Sequence, residues 1–159
     1  MLQVELPDLE STERLGAAIA RVLPDDPAGW TLLLSGELGS GKSSFARALL
    51  RARGHAGPVP SPSYALIEPY EVSGTAVYHI DLYRLGGEEE LRYLGFDELD
   101  DGLKLVEWPD RAPRLTDTAD LDLRLEYAGD ARRALLSALS ERGQALLESL
   151  EIRLGEAKG

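Results

Sequence analysis

The chain has 159 residues, of which 43% are hydrophobic, no cysteine, and a formal net charge of −11 at pH 7. This length fills one core and is too short for two comfortable domains, so we expect a single domain over residues 1–150 and a short tail, residues 151–159. The absence of cysteine excludes disulfides and thiolate zinc sites, and the negative charge argues against tight non-specific binding to a nucleic-acid backbone.

The N-terminal segment does not show the pattern typical of a targeting signal. Residues 1–7 lack a basic region followed by an apolar stretch, and nowhere do eighteen apolar residues run together. Signal peptides and transmembrane helices require such patterns. We therefore expect a soluble, cytoplasmic protein without a membrane segment.

The first elements alternate between strand and helix. Residues 2–6 alternate like a short strand, and Ser11 can cap a helix in which apolar residues recur at helical spacing over residues 15–22. Residues 30–35 form an apolar run, which is typical of a central strand covered on both faces. A second helix is predicted to begin near Lys42.

The middle of the chain suggests a pair of strands. Residues 64–71 and 75–80 are separated by the Ser73-Gly74 turn, which predicts a hairpin or closely paired strands. A short helix is expected over residues 88–94. Residues 103–107 then read as a strand.

The last third contains one strand and a segment with two possible structures. Residues 121–127 alternate cleanly as a strand, while residues 132–139 fit either its hairpin partner or a helix. Residues 142–150 are predicted to be helical. The sequence leaves the choice between hairpin and helix open.

One stretch carries a specific motif. Residues 36–43 fit G-x-x-x-x-G-K-[ST] and follow an apolar strand. Backbone N–H groups in such a loop converge on phosphate oxygens, and the next helix adds its positive N-terminal end. Lys42 is one of three lysines beside fourteen arginines, which suggests that a compact ammonium group is needed there. The motif predicts ATP or another nucleoside triphosphate bound with Mg²⁺, the contacting residues being Gly39, Ser40, Gly41, Lys42, Ser43 and Ser44.

Two carboxylates follow predicted strands. A phosphate-binding loop needs a carboxylate on a neighbouring strand to hold magnesium, directly or through water, and Asp81 ends the strand at residues 77–80. Glu107 ends the apolar run at residues 103–106, where ligands of α/β sheets bind. It could ligate magnesium, orient water, or be a solvated strand end.

Three further features have both a functional and a structural interpretation. Ser63 and Tyr64 lie in a loop that could present a hydroxyl to the γ-phosphate, as switch segments do, or could form an ordinary proline turn. Trp108 could cover the nucleotide pocket or belong to the core. His79 is more often a satisfied core histidine than a catalytic one.

Four segments together resemble the TsaE (YjeE) family in order and spacing: residues 36–44, 61–64, 78–84 and 105–109. The resemblance covers about residues 1–130. That family is the small bacterial ATPase that works with the TsaB and TsaD proteins in making threonylcarbamoyladenosine next to the anticodon of tRNA.

The resemblance implies a single-domain α/β P-loop nucleotide-binding fold with a mixed, largely parallel central sheet flanked by helices. It implies ATP and Mg²⁺ as cofactors, Ser43 and Glu107 as metal ligands, and Asp81 beside the phosphates. Together with Lys42, these carboxylates form the expected catalytic group. The family commonly has threonine where Ser43 and Ser63 stand, and serine supplies the same oxygen. Thr12 and Arg132 also fall where the family approaches the nucleotide.

The function implied by this resemblance is a Mg-ATP hydrolase that is weak alone and activated by TsaB and TsaD, with tRNA contacted mainly through the complex. A small-molecule P-loop kinase and a non-hydrolysing nucleotide sensor are the alternatives. A kinase usually needs an arginine-bearing lid. The sequence shows no convincing lid, although it contains arginines that could serve one: Arg84, Arg111, Arg114, Arg132 and Arg133.

Overall fold

A single mixed sheet organises the chain in this computed structural model, which describes residues 1–59 and 66–158. Four helices accompany the seven strands of these described residues. The strands are β1 (Leu2–Leu6), β2 (Thr31–Gly36), β3 (Ile67–Val72), β4 (Thr75–Asp81), β5 (Gly102–Glu107), β6 (Leu121–Ala128) and β7 (Ala131–Ala138). The helices are α1 (Leu9–Val22), α2 (Lys42–Ala52), α3 (Glu90–Tyr93) and α4 (Glu141–Lys158).

The strand order is β1-β7-β6-β2-β5-β4-β3. The four central strands, β6, β2, β5 and β4, run parallel to one another, whereas the pairs β1–β7, β7–β6 and β4–β3 are antiparallel. This arrangement confirms the predicted α/β fold with its mixed sheet and parallel centre. β3 and β4 form a hairpin around Ser73-Gly74, as predicted. The open question at residues 132–139 is also settled, because β7 pairs with β6 as a hairpin strand.

The first helix begins differently from the prediction. Asp8, not Ser11, is the N-cap of α1, so the expectation for Ser11 is wrong. The Asp8 carboxylate accepts a hydrogen bond from the Ser11 backbone N–H at 2.8 Å, and the Ser11 hydroxyl accepts one from the Asp8 N–H at 3.2 Å. The two residues therefore form a reciprocal capping box, in which Ser11 occupies the third helical position.

The sheet is covered on both faces. Leu32 and Leu34 of β2 pack into a core with α1, α2 and α4, whereas Leu33 faces a second core on the opposite side. This burial confirms that β2 is a central strand. On the first face, a Cβ placed on Gly16 would lie 2.7 Å from the Phe45 carbonyl oxygen, so α1 and α2 approach closely where a side chain is absent.

A buried carboxylate ties α4 to the sheet. Asp120, which precedes β6, accepts hydrogen bonds from the Arg142 guanidinium at 2.7 Å, the Ser140 hydroxyl at 2.7 Å and the Thr31 backbone N–H at 3.0 Å. α4 then continues to Lys158, so residue 150, where we expected the domain to end, lies within this helix.

No helix in residues 1–59 and 66–158 combines the length and the apolar character that crossing a membrane would require.

Candidate functional site

The glycine-rich motif forms the loop between β2 and α2. Gly36 has a φ of 146°, and a Cβ there would lie 2.5 Å from both the Leu125 carbonyl oxygen and the Ser40 Oγ. Gly41, with a φ of 111°, is the N-cap of α2. Both backbones lie where glycine is favoured, so the loop conformation depends on these residues. The loop thereby ends at the N-terminus of α2, where the backbone N–H groups are free to bind an anion.

The Lys42 side chain is folded back against the loop. Its ammonium group donates a hydrogen bond to the Gly36 carbonyl and lies 3.8 Å from the centroid of the Trp108 ring. Burial lowers the pKa of Lys42, and the Glu107 and Asp81 carboxylates oppose that shift. The positive charge is thus held at the centre of the site by two acids and an aromatic face.

Asp81 and Glu107 are direct neighbours across the sheet. They form a register pair at the carboxyl ends of the parallel strands β4 and β5. Their exposed fractions are 8% and 4%. Burial raises the pKa of Asp81, a hydrogen bond from the Tyr83 backbone N–H opposes the shift, and Glu107 adds to it. The structure therefore brings together the two carboxylates that the sequence placed on separate strands.

His79 contacts one of these carboxylates. Its Nε2 lies 2.5 Å from Oε2 of Glu107, and the histidine is only 1% exposed. A carboxylate can only accept a hydrogen bond, so Nε2 carries the proton when Glu107 is ionised. Nδ1 has no hydrogen-bond partner among the described residues. His79 is buried, as predicted, but it also fixes Glu107, which the sequence argument missed. The available signal was the spacing of two between His79 and Asp81, which puts both on one face of β4.

Lys42, Asp81 and Glu107 line one pocket of about 380 Å³. Trp108 is partly buried in its wall, and its ring centroid lies 5.0 Å from that of Tyr83. Trp108 occupies both of the positions considered, because it lines the pocket beside Lys42 and also packs against the second core. The lining residues are Leu38, Gly39, Gly41, Lys42, Ser43, Ser44, Leu66, Asp81, Tyr83, Arg84, Glu107 and Trp108.

Thr12 and Arg132 lie on the other side of the loop. They line a smaller recess of about 180 Å³ together with Gly39, Ser40, Gly41 and Ser44. The Arg132 guanidinium stacks 4.1 Å from the centroid of the Tyr127 ring. The Tyr127 hydroxyl donates to the Leu38 carbonyl at 2.7 Å, so the β6–β7 hairpin holds the loop from below. No local sequence pattern indicates this contact, because Tyr127 and Leu38 are far apart in the chain.

The donor set fits a phosphate group and a magnesium ion shared with it. The loop N–H groups, the N-terminus of α2 and Lys42 are the usual partners of phosphate oxygens. In the described part of the chain, no group of three or more His, Asp or Glu residues could hold a metal alone. Mg²⁺ in nucleotide sites is held by one or two protein oxygens, phosphates and water, and Ser43 and Glu107, which line the same pocket, carry oxygens of this kind. The predicted switch-like residues Ser63 and Tyr64 lie outside the described residues.

The fold and this loop define the protein as a member of the α/β class with a P-loop nucleotide-binding fold. The family model described as "Threonylcarbamoyl adenosine biosynthesis protein TsaE" matches residues 6–135. The chain therefore belongs to the TsaE family.

Individual relatives agree with the family model. The Haemophilus influenzae tRNA threonylcarbamoyladenosine biosynthesis protein TsaE is 34% identical over 148 residues, which cover 91% of this chain and 94% of the relative. The Bacillus subtilis protein of the same description is 32% identical over 146 residues, covering 90% and 87%. The crystal structure of Bacillus subtilis YdiB superimposes with a TM-score of 0.77 at 26% identity, covering 96% and 95% of the two chains. The similarity thus extends over nearly the whole chain.

Proposed function

We propose that this protein binds ATP with Mg²⁺ and hydrolyses it slowly in isolation and faster in a complex with TsaB and TsaD, in the cytoplasm. Hydrolysis would support threonylcarbamoylation of the tRNA adenosine next to the anticodon. The proposal rests on one observation: Lys42, Asp81 and Glu107 line the same pocket beside the phosphate-binding loop.

Each of these groups has a role in the proposed reaction. The loop N–H groups and Lys42 hold the phosphates, and Lys42 is centred there by the two carboxylates. Ser43 and Glu107 would hold Mg²⁺, which neutralises phosphate charge when bound. Asp81 lies close enough to Glu107 to orient water or a metal-bound ligand. These interactions act on the charge that develops in the transition state.

The recess at Thr12 and Arg132 is the proposed location of the ribose and base. It shares Ser44 with the phosphate pocket, so one nucleotide can reach both sites. The Tyr127 ring already stacks on the Arg132 guanidinium, which holds that side chain beside the loop. This arrangement supports a nucleotide whose phosphates lie in the pocket and whose ribose and base lie in the recess on the other side of the loop.

Partner activation follows from what phosphoryl transfer needs. An arginine that neutralises transition-state charge contributes on the order of 10³ to 10⁵ in rate. The proposed source of this arginine is the partner complex. The alternative source within this chain is Arg84, which lines the pocket. An Arg84→Ala variant assayed with and without partners separates the two. Loss of activity both alone and with the partners assigns the role to Arg84, whereas partner-activated turnover equal to that of the wild type assigns it to the partner.

The test is steady-state ADP release by the purified protein, alone, with TsaB and TsaD together, and with candidate phosphate acceptors. Release that rises with the partner pair supports the proposal. Release that requires an acceptor indicates the kinase, and release under no condition indicates the sensor. Partner affinity measured with ATP, with ADP and without nucleotide then shows whether binding depends on the nucleotide state.

A further inference from the structure

A groove lined by arginines runs between α1 and α2, outside the nucleotide pocket. Its volume is about 420 Å³. Small side chains leave the space open, because Ala17 of α1 faces Ala48 and Ala52 of α2. We call this feature the arginine groove after its four arginines, Arg14, Arg21, Arg47 and Arg51.

The charge of the arginine groove contrasts with that of the chain. The protein has 28 acidic residues against 17 basic ones, yet only two of the acidic residues, Glu10 and Glu13, line this groove. Glu10 pairs with Arg14 at 3.1 Å. Within the described residues, the guanidinium groups of the other three arginines of the groove make no hydrogen bond and no ion pair. Their positive charge is therefore not neutralised inside the protein.

The fold itself accounts for only part of this cluster. Arg21 and Arg51 lie in the last turns of their helices, where the helix dipole favours a cation. Arg47 lies in the middle of α2 and is partly buried. Arg47 and Arg51 are four residues apart on one helix face, where like charges repel each other. A bound anion would remove this repulsion.

We propose that the arginine groove docks an acidic surface of a protein partner, a proposal that rests on the proposed function above. Such a surface would place carboxylates against Arg47 and Arg51, and a basic residue of it could meet Glu13. The net charge of −11 disfavours an extended polyanion such as RNA, which would meet the acidic remainder of the surface, whereas a protein contacts the groove alone.

A partner bound in the arginine groove would be connected to the nucleotide site through one helix, α2. Ser44, in the first turn of α2, lines the arginine groove, the nucleotide pocket and the Thr12 recess. A partner seated against Arg47 and Arg51 thus contacts the helix whose N-terminus faces the phosphates. This placement gives the partner direct access to the element that its binding must influence.

The experiment compares two double variants of the full chain. The test variant is Arg47→Glu with Arg51→Glu, and the control is Arg92→Glu with Arg153→Glu, both exposed and outside the groove. Affinity for the TsaB–TsaD pair is measured at low and high salt. We expect the test variant to bind about tenfold or more weakly and to lose most of the salt dependence, while the control binds like the wild type. ATP affinity of the isolated test variant should match the wild type, and circular dichroism and thermal unfolding check that the variant stays folded.

The other outcomes overturn the inference in distinguishable ways. Equal binding by the wild type and the test variant shows that the partner docks elsewhere, and the proposed function stands. If the wild type neither binds the pair nor responds to it in ADP release, the proposed partnership fails and the docking site falls with it. A test variant that binds the pair normally but no longer binds a tRNA transcript assigns the groove to nucleic acid instead.

Discussion

Nε2 of His79 lies 2.5 Å from Oε2 of Glu107, joining the adjacent strands β4 and β5 beneath the nucleotide pocket. Both side chains are almost fully buried, so this hydrogen bond forms away from water, where it is strong. It fixes one carboxylate oxygen of Glu107 and leaves the second for a ligand. His79, which does not line the pocket, thus positions the carboxylate of Glu107, which does.

The first prediction concerns this positioning role. His79→Leu should reduce kcat for ATP hydrolysis about 10-fold to 100-fold, the usual cost of losing a group that hydrogen-bonds to a metal ligand. Adding Mg²⁺ should also raise the ATP affinity of this variant less than that of the wild type. His79→Gln places an amide donor near the position of Nε2 and should recover part of both. Titration calorimetry with and without Mg²⁺ measures the affinities, and thermal unfolding identifies a variant that merely misfolds. If the glutamine and leucine variants are equally impaired while both stay folded, Glu107 does not depend on this hydrogen bond.

The second prediction concerns Lys42. Lys42→Ala should weaken ATP binding about 10-fold to 100-fold, the value of a hydrogen bond to a charged group, with the fold retained. Lys42→Arg keeps the charge but not the compact shape, and it should also bind poorly because the space beside Trp108 fits an ammonium group. Calorimetry supplies the affinities, and circular dichroism checks the fold. Unchanged affinity in both variants would remove Lys42 from the nucleotide site.

The third prediction is a gain in stability at a functional residue. The folded protein raises the pKa of Asp81, so its ionised form opposes folding. The contribution of Asp81 to wild-type stability should therefore fall as pH rises through the ordinary aspartate pKa of about 3.9 and on through the raised folded value. Asp81→Asn does not titrate, and we expect it to be more stable by about 0.5–2 kcal/mol at pH 7 while losing ATP hydrolysis. Urea unfolding at pH 4 and pH 7 checks this, and an equal difference at the two pH values contradicts it.

The fourth prediction concerns Asp120, whose effect on the pH dependence of stability is opposite to that of Asp81. Burial alone would raise the pKa of Asp120, but hydrogen bonds from Arg142, Thr31 and Ser140 outweigh it and lower the pKa. The stability from this carboxylate is therefore present above the ordinary aspartate pKa and lost as pH falls through the lowered folded value. Asp120→Asn should cost about 1–3 kcal/mol at pH 7. Urea unfolding over pH 3–7 should show that the difference in stability between the wild type and Asp120→Asn becomes smaller in acid. The exposed Asp117→Asn variant is the matched control.

Local patterns were sufficient to predict most elements. The alternation of residues 2–6, the Ser73-Gly74 turn and the apolar run before the loop correspond to β1, the β3–β4 hairpin and β2. These features depend on side-chain periodicity and turn chemistry, which neighbouring residues determine. The helix start was misjudged because Asp8 and Ser11 can both cap a helix, and only the backbone geometry distinguishes them.

Long-range contacts could not be predicted in the same way. The sequence placed Asp81 and Glu107 at strand ends, but their register, and hence the contact of His79 with Glu107, depends on which strands are neighbours. The Tyr127 support of the loop depends likewise on β6 lying beside β2. Strand order follows from the packing of the whole chain, so no local window contains it.

The position of Trp108 allows the pocket to be monitored by tryptophan fluorescence. The chain has two tryptophans, and Trp30 lies apart in the main core beneath Arg142. The Trp108 indole instead lies 3.8 Å from the Lys42 ammonium, a contact that a phosphate competing for Lys42 would disturb. A Trp30→Phe background would leave a single fluorophore, whose emission reports the charge beside it. The wall of the site is thus its own fluorescent probe, and no dye needs to be attached.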